Sequence, residues 1–245
     1  MGHVGYKMRK LLFIILLASH LSAQVSFIRA VTNAAPLATP SVLVSTGNTV
    51  VVGCGTGSTG SVTVTSVTDT ALNTYVAATS LLSTPGAGQS IQMWVAYNAT
   101  GNASDVVVCH LSGSGWINTS VFVLSGAASS SAVDRSAFGS TGGATSVTTT
   151  AFTPRTSGEI AIACGIWNSS ATTVIAGSGY TVPSGGFDST NGWGCEYQLS
   201  ISTSSQTATL SNPTSHAANI MVATFSTTPI VNGVTMIPRH KTVIQ

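Results

Sequence analysis

Residues 158–167, GEIAIACGIW, have a counterpart earlier in the chain, residues 47–55, GNTVVVGCG. Each copy follows a polar Thr/Ser/Gly run and strings small or β-branched apolar residues up to a Cys-Gly pair, Cys54-Gly55 and Cys164-Gly165. A run of four to eight such residues between turn formers reads as a strand buried on both faces. Strand-like segments flank each copy in the same order, so the chain reads as a duplicated β-unit.

Working outward, short apolar segments recur between Gly, Ser, Asn and Pro, the pattern of a sandwich or barrel. The first half reads as strands at 41–45, 49–54, 61–68, 74–78, 90–97, 105–111 and 119–124. The second reads as strands at 147–152, 159–164, 172–175, 180–183, 194–201, 207–211 and 219–225. Further echoes link Tyr75 with Tyr180, Tyr97 with Tyr197, and His110-Leu111-Ser112 with Thr209-Leu210-Ser211. No window keeps a helical period, and the many Gly and β-branched residues weaken any helix. The expectation is an all-β chain: an antiparallel, jelly-roll-like β-sandwich at 41–228 with two pseudo-repeated, interleaved halves. These halves span about 41–126 and 147–228, joined by a Ser/Gly-rich linker at 127–146. An irregular lead-in at 24–40, with Pro36 and Pro40, precedes them, and a tail at 229–245 follows.

Ser and Thr each occur 35 times, whereas charged residues make up 6% of the chain, so hydroxyls keep the surface wet. An apolar content of 43% argues for a folded domain rather than a low-complexity polymer. Lys7, Arg9 and Lys10 precede the apolar run 11–18 and the small-residue patch 19–23. That order is a secretory signal peptide, residues 1–23, starting at Met1 or Met8 and cut after Ala23. The apolar run is too short to span a bilayer, which needs about 20 residues. Beyond it stand Arg29, Arg135, Arg155, Arg239 and Lys241 against Asp69, Asp105, Asp134, Glu159, Asp188 and Glu196. This near-neutral balance has no basic patch, which excludes nucleic acid as a partner. The expected location is secreted or at the cell surface.

Export makes Cys54, Cys109, Cys164 and Cys195 candidates for disulfides, and without a C-x-x-C spacing they suggest neither a zinc site nor a redox pair. One bridge within each half, Cys54–Cys109 and Cys164–Cys195, stands against the alternative of four buried free thiols.

The segments VTSVTDTALNTYVAA, IQMWVAYNATGNASDVVV, VFVLSGAASSSAVDRS, GEIAIAC and AGSGYTV resemble a group of secreted bacterial β-sandwich proteins of unknown role. Similar sandwiches occur in bacterial surface proteins and in phage tail or fibre proteins. The resemblance covers roughly residues 42–228 and implies a fold and an external location, with no catalytic signature to carry over. Where the group has an aromatic before Ser-Gly, this chain has Leu124-Ser125-Gly126.

Asp69 and Asn73, in VTDTALNTY, sit where a hairpin turns and read as turn-stabilising side chains, because calcium needs six to eight oxygen ligands. Glu159 and Glu196 are the one candidate acid pair for glycoside hydrolysis, with too few other acids to support it. No G-x-S-x-G elbow accompanies His110 or His216. In residues 90–97 the strand pleat sends Ile91, Met93, Val95 and Tyr97 to one face and Gln92, Trp94, Ala96 and Asn98 to the other. With the first set as core, Trp94 points outward between Gln92 and Asn98. An exposed indole beside amides suits stacking on a polysaccharide or cell-surface glycan. A covering loop or a self-association contact would use the same ring. Trp116, in SGSGWIN, is a second candidate. The expectation is a non-catalytic binding or adhesive module without metal or cofactor, against a structural subunit of an extracellular or phage-like assembly.

Overall fold

The computed structural model describes residues 24–32, 37–57, 62–84, 88–169 and 173–229. Residues 1–23, read above as a signal peptide, and the tail beyond residue 229 lie outside them. Among the described residues there is no helix and the chain is built of antiparallel strands. The first half contributes β1 (Gln24–Thr32), β2 (Leu37–Ala38), β3 (Val42–Val44), β4 (Thr49–Gly57), β5 (Val64–Asp69), β6 (Val76–Ala77), β7 (Leu82–Thr84), β8 (Gln89–Ala96), β9 (Asn102–Asp105), β10 (Val107–Leu111) and β11 (Trp116–Ser125). The second contributes β12 (Val133–Thr148), β13 (Glu159–Trp167), β14 (Ile175–Ala176), β15 (Phe187–Asp188), β16 (Trp193–Ile201) and β17 (Thr209–Phe225).

Two large sheets hold the molecule together. One runs β1-β11-β4-β8-β6, with β7 also on β8; the other runs β12-β17-β13-β16-β15, with β14 on β17. Each path starts with the half's opening strand, turns to its closing strand and ends on a short edge strand. The halves therefore do not interleave: each builds its own sheet, and the sheets pack face to face. Between them lies a central core with Val51, Ile91, Met93, Phe122, Ile162 and Phe225. The outer face of the first sheet is covered by β2-β10-β5 and β3-β9 over Val50, Val52, Ile117 and Val121. On the outer face of the second, the ends of β12 and β17 and the short β14 cover Ala161, Ala163, Ile220 and Val222.

Duplication shows in the hydrogen bonds as well as in the strand order. Thr39 N donates to Val107 O at 2.9 Å while Val107 N donates to Thr39 Oγ1 at 3.0 Å. Thr149 and Ala208 repeat the exchange at 3.0 and 3.1 Å. Gly47 N reaches Ala99 O just as Gly158 N reaches Ile201 O, both at 2.9 Å. Both glycines have φ above +80°, a turn conformation that a side chain would strain. Aligning the halves on these two glycines sets Cys54 level with Gly165 and Gly53 level with Cys164.

Two stretches expected to be irregular are strands. The lead-in 24–40 contains β1 and β2, and the Ser/Gly-rich stretch 127–146 contains most of the 16-residue β12. β12 and β1 are edge strands, each paired along one side only, so neither needs the continuous apolar pattern of a buried strand. β12 pairs with β17 through three register shifts, two of them where both strands pass from the large sheet into the outer layer. Gly142-Gly143 and Asn212-Pro213 lie at that bend, the residue types that strand bulges accept. In the first half the same path is broken into β1/β2 and β10/β11.

Two disulfides form, Cys54–Cys109 and Cys164–Cys195, so the free-thiol alternative falls. Cys54 faces the outer core and ties β4 to β10 across the layers. Cys164 faces the central core and joins its direct neighbour Cys195 on β16, with the Cα atoms 4.0 Å apart.

Candidate functional site

The pleat of β8 falls as its sequence dictates, with Ile91, Met93 and Val95 fully buried on the central face. Trp94 takes the other face, but it is not an open platform. It is half-buried against the outer core with Tyr75 and Leu111, and its Nε1 is enclosed without a hydrogen-bond partner. Ala77 pairs directly across from Trp94, so β6 flanks it in the plane of the sheet. Gln92 is occupied as well, donating from Nε2 to Thr79 O at 3.2 Å. Asn98 stands exposed in the turn after β8, at φ 49°. Trp116 packs on the central core, so it lies on the face of the sheet opposite to Trp94. The four expected contact residues therefore do not form one surface. Periodicity revealed which way Trp94 points, but what packs on that face leaves no trace in the period of the strand.

The segment that leads from β5 into β6 hangs on two carboxyl groups. Asp69 ends β5 and accepts from Asn73 N and Asn73 Nδ2, both at 2.8 Å, and from Tyr75 OH at 2.9 Å. The turn-stabilising role expected of Asp69 and Asn73 is what the geometry shows. Asp105, at the end of β9, accepts on Oδ1 from Thr70 Oγ1 at 2.8 Å and Ala71 N at 3.1 Å. Its Oδ2 is buried with no donor. Asp69 lies opposite Val107, two residues beyond Asp105. Burial is the main cause that raises the Asp105 pKa, with Thr70 opposing it and the Asp69 charge adding to it. Burial, then Asp69, also raises Tyr75 and keeps its hydroxyl a donor. The partnership of Asp105 with Asp69 joins residues 36 positions apart and has no local sequence signal.

In the second half a carboxyl takes the level of Trp94, Glu196 lying opposite Ala163 as Trp94 lies opposite Val52. Glu196 is fully buried on the outer face of β16 and accepts from Gly177 N at 2.8 Å and Thr209 N at 3.2 Å. Burial pushes its pKa up to about 8 against those two bonds. Tyr180 is raised by burial and then by Glu196, and its hydroxyl is buried without a partner. Glu159 accepts from Thr156 N and Thr156 Oγ1. Because Glu196 pairs with Ala163, four residues along β13 from Glu159, the two acids stand about 13 Å apart at the usual strand rise. A glycosidase pair needs about 5–10 Å. His110 Nε2 lies 2.8 Å from Thr68 Oγ1, in the half of the molecule opposite to His216.

At the loop end of the first sheet a different group comes together. Gly53, Gly55 and Gly57 line the central face of β4, and large groups lie on them: Cys164 Sγ over Gly53, the Trp193 ring over Gly55 and the Trp116 ring over Gly57. Trp193 Nε1 donates to Ser120 Oγ at 2.8 Å. Gln89 pairs across from Gly57 and Asn118 across from Gly55, both buried. All four side-chain amide atoms of Gln89 and Asn118 lack a protein partner. The half-buried Trp116 thus shares one face of three neighbouring strands with two unengaged amides. Sequence reading singled out Trp116 alone; Gln89 and Asn118 were hidden because neither belongs to a motif. Among the described residues no His, Cys, Asp and Glu side chains group as a metal site. No known family, curated protein or solved structure matches the chain.

Proposed function

We propose that this protein is an exported, non-catalytic β-sandwich that recognises carbohydrate at the loop end of its first sheet. The observation that supports this most is the grouping of Trp116 with the unpartnered amides of Gln89 and Asn118. Buried amides without partners are rare and call for water or a ligand. An indole with neutral amides offers a stacking face and hydroxyl partners, which suit a sugar and need no charge. Two disulfides support an oxidising compartment, as the signal-like N-terminus does. The test is binding of the disulfide-intact chain, without residues 1–23, to a panel of polysaccharides and cell-wall preparations. Loss of binding in Trp116→Ala and Gln89→Leu, with near-ultraviolet circular dichroism unchanged, supports the reading. Binding that survives both substitutions, or none by the folded parent, overturns it.

One observation favours a second reading, a subunit of an extracellular assembly. β12 is a long edge strand whose only charges are Asp134 and Arg135, and its Phe138 is 51% exposed. Unguarded edges pair with other chains. A concentration-dependent oligomer that Phe138→Lys disperses would support this reading, and a monomer at all concentrations would end it.

A further inference from the structure

We propose that Arg135 and Arg155 form a second binding site, an oxyanion clamp that takes the carboxylate or sulfate groups of an acidic polysaccharide. The choice of a polysaccharide rests on the carbohydrate reading above; the charge argument does not. The chain holds six Asp and Glu residues, and every one of their side chains is buried. Each accepts hydrogen bonds inside the protein. Asp188 takes Thr190 N and Asn191 N, while Asp69, Asp105, Glu159 and Glu196 take the donors described above. Asp134, with its side chain 0% exposed, accepts from Arg155 N at 2.7 Å. The Lys and Arg side chains described are Arg135 and Arg155, and these are 39% and 44% exposed. A chain of nearly balanced composition therefore shows solvent two guanidiniums on its described surface and no carboxylate side chain to compete for them.

The two arginines are held together. Arg155 Nε lies 3.4 Å from Asp134 Oδ1 and Arg135 Nε lies 3.9 Å from Oδ2, so both guanidiniums meet one carboxylate. Their backbones are pinned as well, Arg135 N donating to Thr224 Oγ1 at 3.1 Å and Arg155 N to Asp134. Arg135 Nε also donates to Thr153 O at 2.8 Å. Among the described residues nothing accepts from the Nη atoms of either arginine. A guanidinium anchored through Nε keeps its paired Nη edge for an oxyanion, which it meets with two parallel bonds. Asp134 balances one of the two charges and, being buried, leaves guanidinium rather than carboxylate facing a ligand. Thr153 and Ser157, exposed on the same segment, add hydroxyls that suit the sugar carrying the acid group. The clamp is remote from Trp116. Val133 and Ile160 both pair with Phe225, whereas Trp193, whose ring lies over Gly55, pairs with Ile166, about 20 Å further along β13.

Isothermal titration of the disulfide-intact protein with polygalacturonate, dextran sulfate, neutral dextran and duplex DNA, at low and high salt, tests this. The expected result is that both acidic polysaccharides bind about tenfold or more tightly than dextran at low salt, an advantage that salt screens. Arg135→Gln with Arg155→Gln should abolish that advantage, and Trp116→Ala should leave it intact. Arg135→Lys with Arg155→Lys keeps the charge beside Asp134 but loses the forks, and should weaken binding by a smaller factor. Acidic polysaccharides bound by the parent protein no more tightly than dextran overturn the proposal, whether or not the variants fold. So does a preference for duplex DNA over both, or a folded double glutamine variant that keeps the parent's advantage. None of these results touches the Trp116 site, which stands or falls by Trp116→Ala on neutral and cell-wall polysaccharides. Binding of no polysaccharide, acidic or neutral, overturns both.

Discussion

The two halves wind the same way yet differ by a single position in the strand that each is built on. In β4 the cysteine faces the outer core and glycines face the centre; in β13 the cysteine faces the centre and Gly165 takes the level of Cys54. Since side chains alternate, one step along a strand exchanges its faces. The consequence is a division of labour. The first half uses its sulfur to fasten its outer layer and leaves its central face bare. The second fills that space: a Cβ on Gly53 would stand 2.8 Å from Cys164 Sγ, and one on Gly55 would enter the Trp193 ring. A repeat that reads as redundant in sequence is complementary in three dimensions.

The sharpest way to break this complementarity is to remove each bridge in turn. Chain-entropy arguments give nearly equal losses, about 4 kcal/mol for sequence separations of 55 and 31 residues. The distribution of damage should differ. In Cys54→Ala with Cys109→Ala, proteolysis should reach β5 and β10 before either large sheet. In Cys164→Ala with Cys195→Ala, the strands stay paired by their backbone and the loss should appear as one lowered global transition. Equal patterns in chemical denaturation and limited proteolysis would contradict the division of labour.

Gly55→Ala tests the glycine face from the other side. Overpacking against a ring held by Ser120 should destabilise by about 1–3 kcal/mol in urea titration. Gly113→Ala, whose added Cβ would be no closer than 3.5 Å to its nearest neighbour, should change far less. Glu196 sharpens the comparison through pH. Its pKa rises from 4.5 to about 8 on folding, so its contribution is fully present below about 4.5 and is lost as pH rises towards 8. At roughly 1.4 kcal/mol per unit of displacement, stability in denaturant should fall over that range, and Glu196→Gln should remove that part of the slope. An unchanged slope in a folded Glu196→Gln variant would show that Glu196 ionises normally. The smallest effect is expected at Phe138→Lys, within about 0.5 kcal/mol, since this exposed edge residue supports no core.

The strands legible in sequence were those whose environment is written into every residue. β4 and β13 are buried throughout and read as unbroken apolar runs, while β8 shows its two faces by alternation. β1 and β12 were illegible because an edge strand with polar neighbours has no obligatory pattern. The cysteine pairing was legible by halves, but the opposite facings were not, because aligning the two Cys-Gly pairs hides a one-residue slip. Trp94 was read correctly in direction, and of the three fates left open for its ring, cover, subunit contact or glycan platform, the half-buried packing against the outer core fits the first.

The placement of the bridges also governs how the molecule yields to tension. A pull along the chain cannot draw out the residues inside a closed disulfide loop, and each residue withheld keeps back about 3.5 Å of length. The first bridge locks most of its half out of extension, from Cys54 to Cys109, whereas the second locks only Cys164 to Cys195 and leaves the long β17 outside. A stretched molecule would therefore pay out length from its second half and remain short in its first, and reduction would release nearly twice as much slack from the first half as from the second.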